Sequence, residues 1–243
     1  SKKAIINRDD ESHQYFLDNA SDKDPIKFGI DDLEFFKSSE NGFICQLNSY
    51  VFELPLVGEF NLSNAIAAYQ SVKCLGYSDD QIIPFLAKLS PPPGRMQQLE
   101  NSHIWIDYAH TPDALDNALS TLRKHYPEFK IRVIFGCGGD RDKGKRQIMG
   151  KIASETADSI ILTNDNPRSE DPQSIVDDIL AGTKVEDDVQ VILDRGDAIN
   201  SAIQTLGEEE ALLIAGKGHE TTQVIGSKTL QFSDVEVALN AIS

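Results

Sequence analysis

From Met96 onward, short, largely apolar runs alternate with amphipathic helical patterns, and no other feature constrains the fold of this chain as tightly. The runs are Ile104 to Ile106, Ile131 to Phe135, Ile160 to Leu162, Val189 to Leu193 and Ala211 to Ala215. Helical patterns fall between them, near Pro112 to Lys124, Lys143 to Thr156, Pro172 to Ala181 and Asp197 to Leu206. A strand with no alternating polar face must be covered on both sides, and the intervening helices supply that cover. The pattern predicts a doubly wound α/β domain with a mostly parallel sheet. Thr111 before Pro112 and Asp171 before Pro172 mark two helix starts, each with a side-chain acceptor at the cap and proline at the first helical position.

The residues before that point are organised differently. Strand-like runs (Ala4 to Ile6, Phe43 to Leu47, Tyr50 to Leu54) precede an apolar helical stretch from Leu62 to Leu75 and a second helix from Ser78 to Leu89. Ser78 lies three residues before Gln81, the spacing of a capping box. Pro91-Pro92-Pro93 then stops any helix and stiffens the backbone. This places the expected boundary between a segment 1–92 and a domain 93–243. The first ~90 residues are expected to be the less ordered part, because an incomplete layer cannot bury its apolar face and leaves strand edges unpaired.

Composition excludes several functional classes. With 39 acidic against 23 basic side chains the formal charge is -16, which leaves no broad basic face for a nucleic acid. No apolar run approaches the ~20 residues needed to span a bilayer, and Ser1-Lys2-Lys3-Ala4-Ile5-Ile6 lacks the apolar core of a signal peptide. No membrane partner is expected. The three cysteines, Cys45, Cys74 and Cys137, are few, odd in number and far apart, so neither a disulfide framework nor a metal knuckle is indicated and a reducing cytoplasm fits.

In an open parallel sheet, the loops that follow the strands gather outside their carboxyl ends, where ligands bind. Three such loops carry chemistry here. The first, Gly136 to Arg146, matches all but the last position of a nucleotide-binding P-loop, but Arg146 stands where a magnesium-ligating hydroxyl is required. Its glycines and the helix start at Lys143 suit an anion, and Arg141 can fork onto a carboxylate. The second, Asp165-Asn166-Pro167-Arg168, is stiffened by Pro167, which pushes Asn166 towards an extended backbone. Asn166 offers donor and acceptor together and Arg168 a planar fork, a combination that suits an amino acid head. The third, Gly216-Lys217-Gly218-His219-Glu220, places a carboxylate where it can meet an ammonium. Its adjacent His and Glu do not have the spacing of a metal-binding pair. Taken singly, each loop is equally a solvated turn or helix cap. Taken together, they predict one site.

These loops belong to an ordered set: Gly58-x-Phe60-Asn61-x-x-Asn64-x-x-Ala67-Ala68, Gly94-Arg95-Met96, Asp107-Tyr108-Ala109-His110-Thr111-Pro112, Gly136 to Arg146, Asp165 to Arg168 and Lys217 to Glu220. The set closely resembles the MurE branch of the Mur ligases over nearly the whole chain. The resemblance implies a C-terminal Rossmann-like amino-acid-binding domain, preceded by a truncated part of the family's central ATP-binding α/β domain. It also implies an ATP-dependent amide ligase of peptidoglycan synthesis, one that joins meso-diaminopimelate to UDP-N-acetylmuramoyl-L-alanyl-D-glutamate through an acyl phosphate. Full members use ATP and Mg2+. By the same likeness Arg141, Asp165, Asn166, Pro167, Arg168, Gly216 and Glu220 would hold diaminopimelate, and Asn61, Asn64, Arg95, Asp107 and His110 would meet the nucleotide. The family's true P-loop, carbamylated lysine and metal ligands have no match in this sequence. A fragment inactive by itself is therefore expected, with no catalytic or metal-binding residue assigned. A lysine-adding or folylpolyglutamate-type ligase, and a non-catalytic amino-acid-binding module, are the alternatives.

Overall fold

The computed structural model describes residues 3–39, 41–99 and 102–243. Ser1 and Lys2, at the start read above as unlike a signal peptide, lie outside the described residues. The chain falls into two compact units, Ser1–Ser90 and Pro91–Ser243.

In the first unit, β1 (Ile5–Asn7), α1 (His13–Asn19) and β2 (Ile26–Phe28) precede β3 (Phe35–Ser39), β4 (Gly42–Leu47) and β5 (Tyr50–Leu54); α2 (Glu59–Lys73) and α3 (Asp79–Leu86) complete it. β1 and β2 form a two-stranded parallel pair, and β3-β4-β5 an antiparallel meander. The sequence reading lacked α1, β2 and β3, which are short or largely exposed. Ser78 and Gln81 close the expected capping box at the start of α3. The expectation that this segment cannot bury its apolar face does not hold. Leu62, Ile66 and Tyr69 of α2 and Ile82, Ile83 and Leu86 of α3 form one buried cluster with Phe43, Cys45, Leu47 and Leu54 of the meander. Two helices are enough to close the layer over three strands.

The second unit has the predicted α/β architecture. It contains β6 (Gln97–Gln98), β7 (Ile104–Asp107), α4 (Pro112–His125), β8 (Lys130–Phe135), α5 (Gly144–Thr156), β9 (Ser159–Leu162), α6 (Pro172–Leu180) and β10 (Val189–Val191). It continues through α7 (Arg195–Gln204), β11 (Glu210–Ala215), a hairpin of β12 (Thr222–Ile225) and β13 (Lys228–Gln231), and α8 (Asp234–Ile242). The sheet order is β10-β9-β8-β11-β7-β6, with every pair parallel except the edge pair β6-β7. One face packs Ile104, Ile106, Ile134, Ile161, Leu212 and Ile214 against Ala198, Ile199 and Ala202 of α7 and Ala238 of α8. The alternate residues Trp105, Val133, Phe135, Leu162 and Leu213 are equally buried and point to the other face, where α4, α5 and α6 pack side by side. Burial on both faces explains why the central strands read as largely apolar runs, whereas the edge strand β10 departs from that expectation, with Gln190 and Val191 exposed.

Helix starts follow the local chemistry with one difference. Thr111 caps α4 by accepting from the Ala114 amide, whereas Asp171 accepts from the Ser174 hydroxyl at 3.2 Å rather than from a backbone N–H. Among the described residues, no helix is long and apolar enough to cross a membrane.

Candidate active site

β11 is inserted between β8 and β7, so the loops after β7, β8, β9 and β11 meet at the carboxyl edge of the sheet. They enclose a cavity of about 500 Å3. Tyr108, His110 and Thr111 come from the first loop, Gly136 to Gly138 and Arg141 to Asp142 from the second, Asp165, Asn166 and Arg168 from the third, and Gly216 and Glu220 from the fourth. Lys145 of α5 completes the lining. Six of the seven residues expected to hold an amino acid thus share one cavity. The seventh, Pro167, is not among its lining residues. A Cβ at Gly139 would overlap the Pro167 carbonyl oxygen, so the two loops can approach this closely only with glycine at 139.

These loops are tied to each other as well as to the sheet. The Glu170 carboxylate accepts from the fully buried Arg146 guanidinium at 2.9 and 3.0 Å, from Lys143 at 2.9 Å and from the Asp140 amide at 2.6 Å. Arg146, and to a lesser degree Lys143 and the Asp140 amide, hold the Glu170 carboxyl at about 2, well below its ordinary value. Arg146 also pairs with Asp178 of α6 at 2.9 Å. The residue that breaks the P-loop pattern is therefore a structural tie between α5, α6 and two loops. Asp140 in turn accepts from the amide and hydroxyl of Ser169.

Arg168 adopts a left-handed backbone conformation (φ 51°), unusual for a residue with a side chain. The β12-β13 hairpin holds it there: the Arg168 amide donates to the Val224 carbonyl at 3.1 Å, and the Gly226 amide donates to the Arg168 carbonyl at 2.7 Å. Gln223 donates to the Asp165 carbonyl at 2.9 Å. Arg168 Nη1 rests on the Gly139 carbonyl at 2.8 Å, leaving the rest of the fork uncommitted among the hydrogen bonds of the site.

Asn166 departs from the simple expectation of a donor and an acceptor both offered to ligand. Its Oδ1 accepts from Lys217 Nζ at 3.1 Å and from the Val224 amide at 2.9 Å, while its Nδ2 donates to Glu220 Oε2 at 3.3 Å. Only donor capacity remains. Glu220 Oε1 faces the Tyr108 hydroxyl at 3.4 Å. Cys137 lines the cavity, but burial pushes its thiol up to about 12, so it holds no thiolate near neutral pH.

The residues expected to meet a nucleotide are divided between the two units. His110 lines the cavity, with Nδ1 at 2.9 Å from the Tyr108 carbonyl. Arg95 lies over the Tyr108 ring at 4.8 Å, and Asp107, at the end of β7, accepts from the Met96 amide at 2.7 Å. Burial raises the Asp107 carboxyl, against the lowering pull of the Met96 amide and the Arg95 charge. Asn61 and Asn64 lie on α2 in the first unit, where Asn61 donates to the Val57 carbonyl and Asn64 to Asn61. Lys217, Lys145 and Tyr108 had no role in the sequence reading. A lysine beside glycine in a polar loop reads as solvated, and only the fold shows Lys217 to be buried.

The Mur ligase glutamate ligase domain model matches residues 94–218, and the Mur ligase middle domain model matches residues 1–72. The chain belongs to the Mur ligase family. A Rickettsia conorii protein named UDP-N-acetylmuramoyl-L-alanyl-D-glutamate--2,6-diaminopimelate ligase is 40% identical over 98% of this chain and 52% of its own length. A Coxiella burnetii protein of the same name is 49% identical over 79% of this chain and 40% of its own length. A solved structure of a ligase of that name superposes with a TM-score of 0.69 at 35% identity, covering 99% of this chain and 53% of that one. The chain thus spans about half the length of the curated relatives it matches.

Proposed function

We propose that this Mur ligase chain serves an ATP-dependent amide ligase that adds meso-diaminopimelate to UDP-N-acetylmuramoyl-L-alanyl-D-glutamate. In this reading, residues 93–243 bind the diamino acid and residues 1–92 are the C-terminal portion of the ATP-binding domain. The observation that carries the proposal is the mixed charge of one 500 Å3 cavity, where Arg141 and Arg168 share the wall with Asp165 and Glu220. A volume in that range suits a small molecule, and a wall of both signs suits a zwitterion. Diaminopimelate has a zwitterionic head at each end. Lysine has only an ammonium at its far end and gives neither arginine a carboxylate to grip.

The chemistry requires the nucleotide-peptide carboxylate to be activated as an acyl phosphate. The amine nitrogen then attacks the carbonyl carbon, the C–N bond forms, the bond to phosphate breaks, and the nitrogen gives up a proton. This chain's share is positioning. Glu220 meets the distal ammonium, Arg141, Arg168 and Asn166 Nδ2 meet the distal carboxylate, and the free amine is aimed out of the cavity. Fixing an attacking group in this way is worth up to ~7–11 kcal/mol for well-oriented reactants. Asn61, Asn64, Arg95, Asp107 and His110 are assigned to the nucleotide as part of the same proposal. Among the described residues, no group of three His, Cys, Asp or Glu side chains could hold a metal ion.

The test joins this chain to the half of the Rickettsia conorii relative that it does not match and measures amino-acid-dependent phosphate release from ATP with the nucleotide peptide present. Turnover with meso-diaminopimelate, but with neither L-lysine nor L-glutamate, is expected; a preference for either of the others contradicts the proposal. The 243-residue chain alone is expected to release no phosphate.

A further inference from the structure

Lys217 follows Gly216 directly at the end of β11, yet its side chain is fully buried. Its ammonium donates to Asn166 Oδ1 at 3.1 Å, to Glu220 Oε2 at 3.2 Å and to the Thr222 carbonyl at 2.7 Å. Three protons meet three acceptors, so the group is spent within the protein and has none left for a ligand. Nor can it act as a nucleophile while all three protons are held this way.

From these contacts we infer that Lys217 is a positioning residue that fixes the polarity of the diaminopimelate clamp, an inference that rests on the function proposed above. An Asn side chain has two edges of nearly equal shape, one accepting and one donating, and the edge that faces a cavity decides which ligand group is welcome. Lys217 Nζ and the Val224 amide are both donors only, and both lie against Oδ1. The amide nitrogen must therefore face Glu220 and the cavity. Lys217 also anchors one Glu220 oxygen and supplies its countercharge, which leaves Oε1 turned towards Tyr108 and the cavity. One buried cation thus presents a donor for a carboxylate beside an acceptor for an ammonium. Without it, among the described residues the Glu220 carboxylate keeps the Asn166 and Tyr108 contacts, and Asn166 Oδ1 keeps the Val224 amide.

The test titrates the 243-residue chain and its Lys217→Met and Lys217→Gln variants with meso-diaminopimelate and with 1,5-diaminopentane by calorimetry, while thermal unfolding checks that each variant is folded. Affinity for diaminopimelate is expected to fall roughly 10- to 100-fold in Lys217→Met, the range for a lost hydrogen bond to a charged group. Lys217→Gln retains two N–H donors and is expected to lose less. 1,5-Diaminopentane, which has no carboxylate, is expected to bind each variant within about twofold of the parent, since it cannot engage the carboxylate side of the clamp. A change confined to diaminopimelate separates positioning from general destabilisation. Unchanged diaminopimelate affinity in a folded Lys217→Met overturns the inference, as does unfolding of both variants, which would make Lys217 a folding residue. The side-chain amide resonances of Asn166 report the same role without ligand. They are expected to shift in Lys217→Met, and unshifted resonances overturn the inference even where the parent chain shows no preference for diaminopimelate. That absence of preference would instead sink the proposed function.

Discussion

Arg168 combines three constraints in one residue: a left-handed backbone, main-chain bonds to the β12-β13 hairpin, and a guanidinium resting on the Gly139 carbonyl. Its direction is set before any ligand arrives, which limits the entropy lost on binding. Arg168→Ala is expected to weaken binding of meso-diaminopimelate by roughly 10-fold or more and to leave binding of 1,5-diaminopentane, which has no carboxylate, nearly unchanged, as read by calorimetry. Arg168→Lys should not restore the loss, because a point charge cannot reproduce a planar fork. Much of this was legible in the residues, since Arg141, Asn166, Arg168 and Glu220 were singled out by residue type and by their place after buried strands. The commitment of Asn166 Oδ1 to Lys217 and Val224 was not, because it depends on a lysine whose burial no local pattern reveals.

Among the elements, the β12-β13 hairpin and the loop ties contribute most to the shape of the site. The Gly226-Ser227 pair between two four-residue runs is a hairpin signal in the sequence, yet Thr222 to Gln231 is mostly polar and exposed on β13, and apolar periodicity passes over it. The strands β7, β8, β9 and β11 and their helices were legible because their apolar runs had to be covered on both faces, whereas the edge strand β10 is largely exposed. Gly139→Ala is expected to destabilise the chain by about 1–3 kcal/mol in chemical unfolding, since its methyl would meet the Pro167 carbonyl and push apart two loops that line the cavity. Glu170 gives the β8-α5 and β9-α6 connections a pH dependence. Its carboxyl lies at about 2 in the folded chain against an ordinary 4.5, so the stability it contributes is complete above about 4.5 and is lost as pH falls through about 2. Unfolding temperatures measured from pH 6 to 2 should show this decline in the parent chain, and a smaller one in Glu170→Gln.

Across the Pro91–Ser243 unit as a whole, the fully buried Arg195–Asp234 pair joins α7 to α8, and Arg195 also donates to the Ala215 carbonyl at 2.9 Å at the end of β11. Asp234→Ala would leave a buried guanidinium without its countercharge. A loss of about 3–5 kcal/mol in urea unfolding is expected, a large share of the ~5–15 kcal/mol that holds a typical protein folded. The four loops depend on that frame, since a shift at the carboxyl ends of β9 and β11 would move Asp165 and Gly216 together. The central claim is that this edge of the sheet reads a zwitterion at the far end of an amino acid. Calorimetric titration of the 243-residue chain with meso-diaminopimelate and with 1,5-diaminopentane, which has no carboxylate, tests it most directly: diaminopimelate should bind at least about 10-fold more tightly, as two additional charge-assisted contacts require, whereas equal affinity for the two, or tighter binding of the diamine, would contradict it.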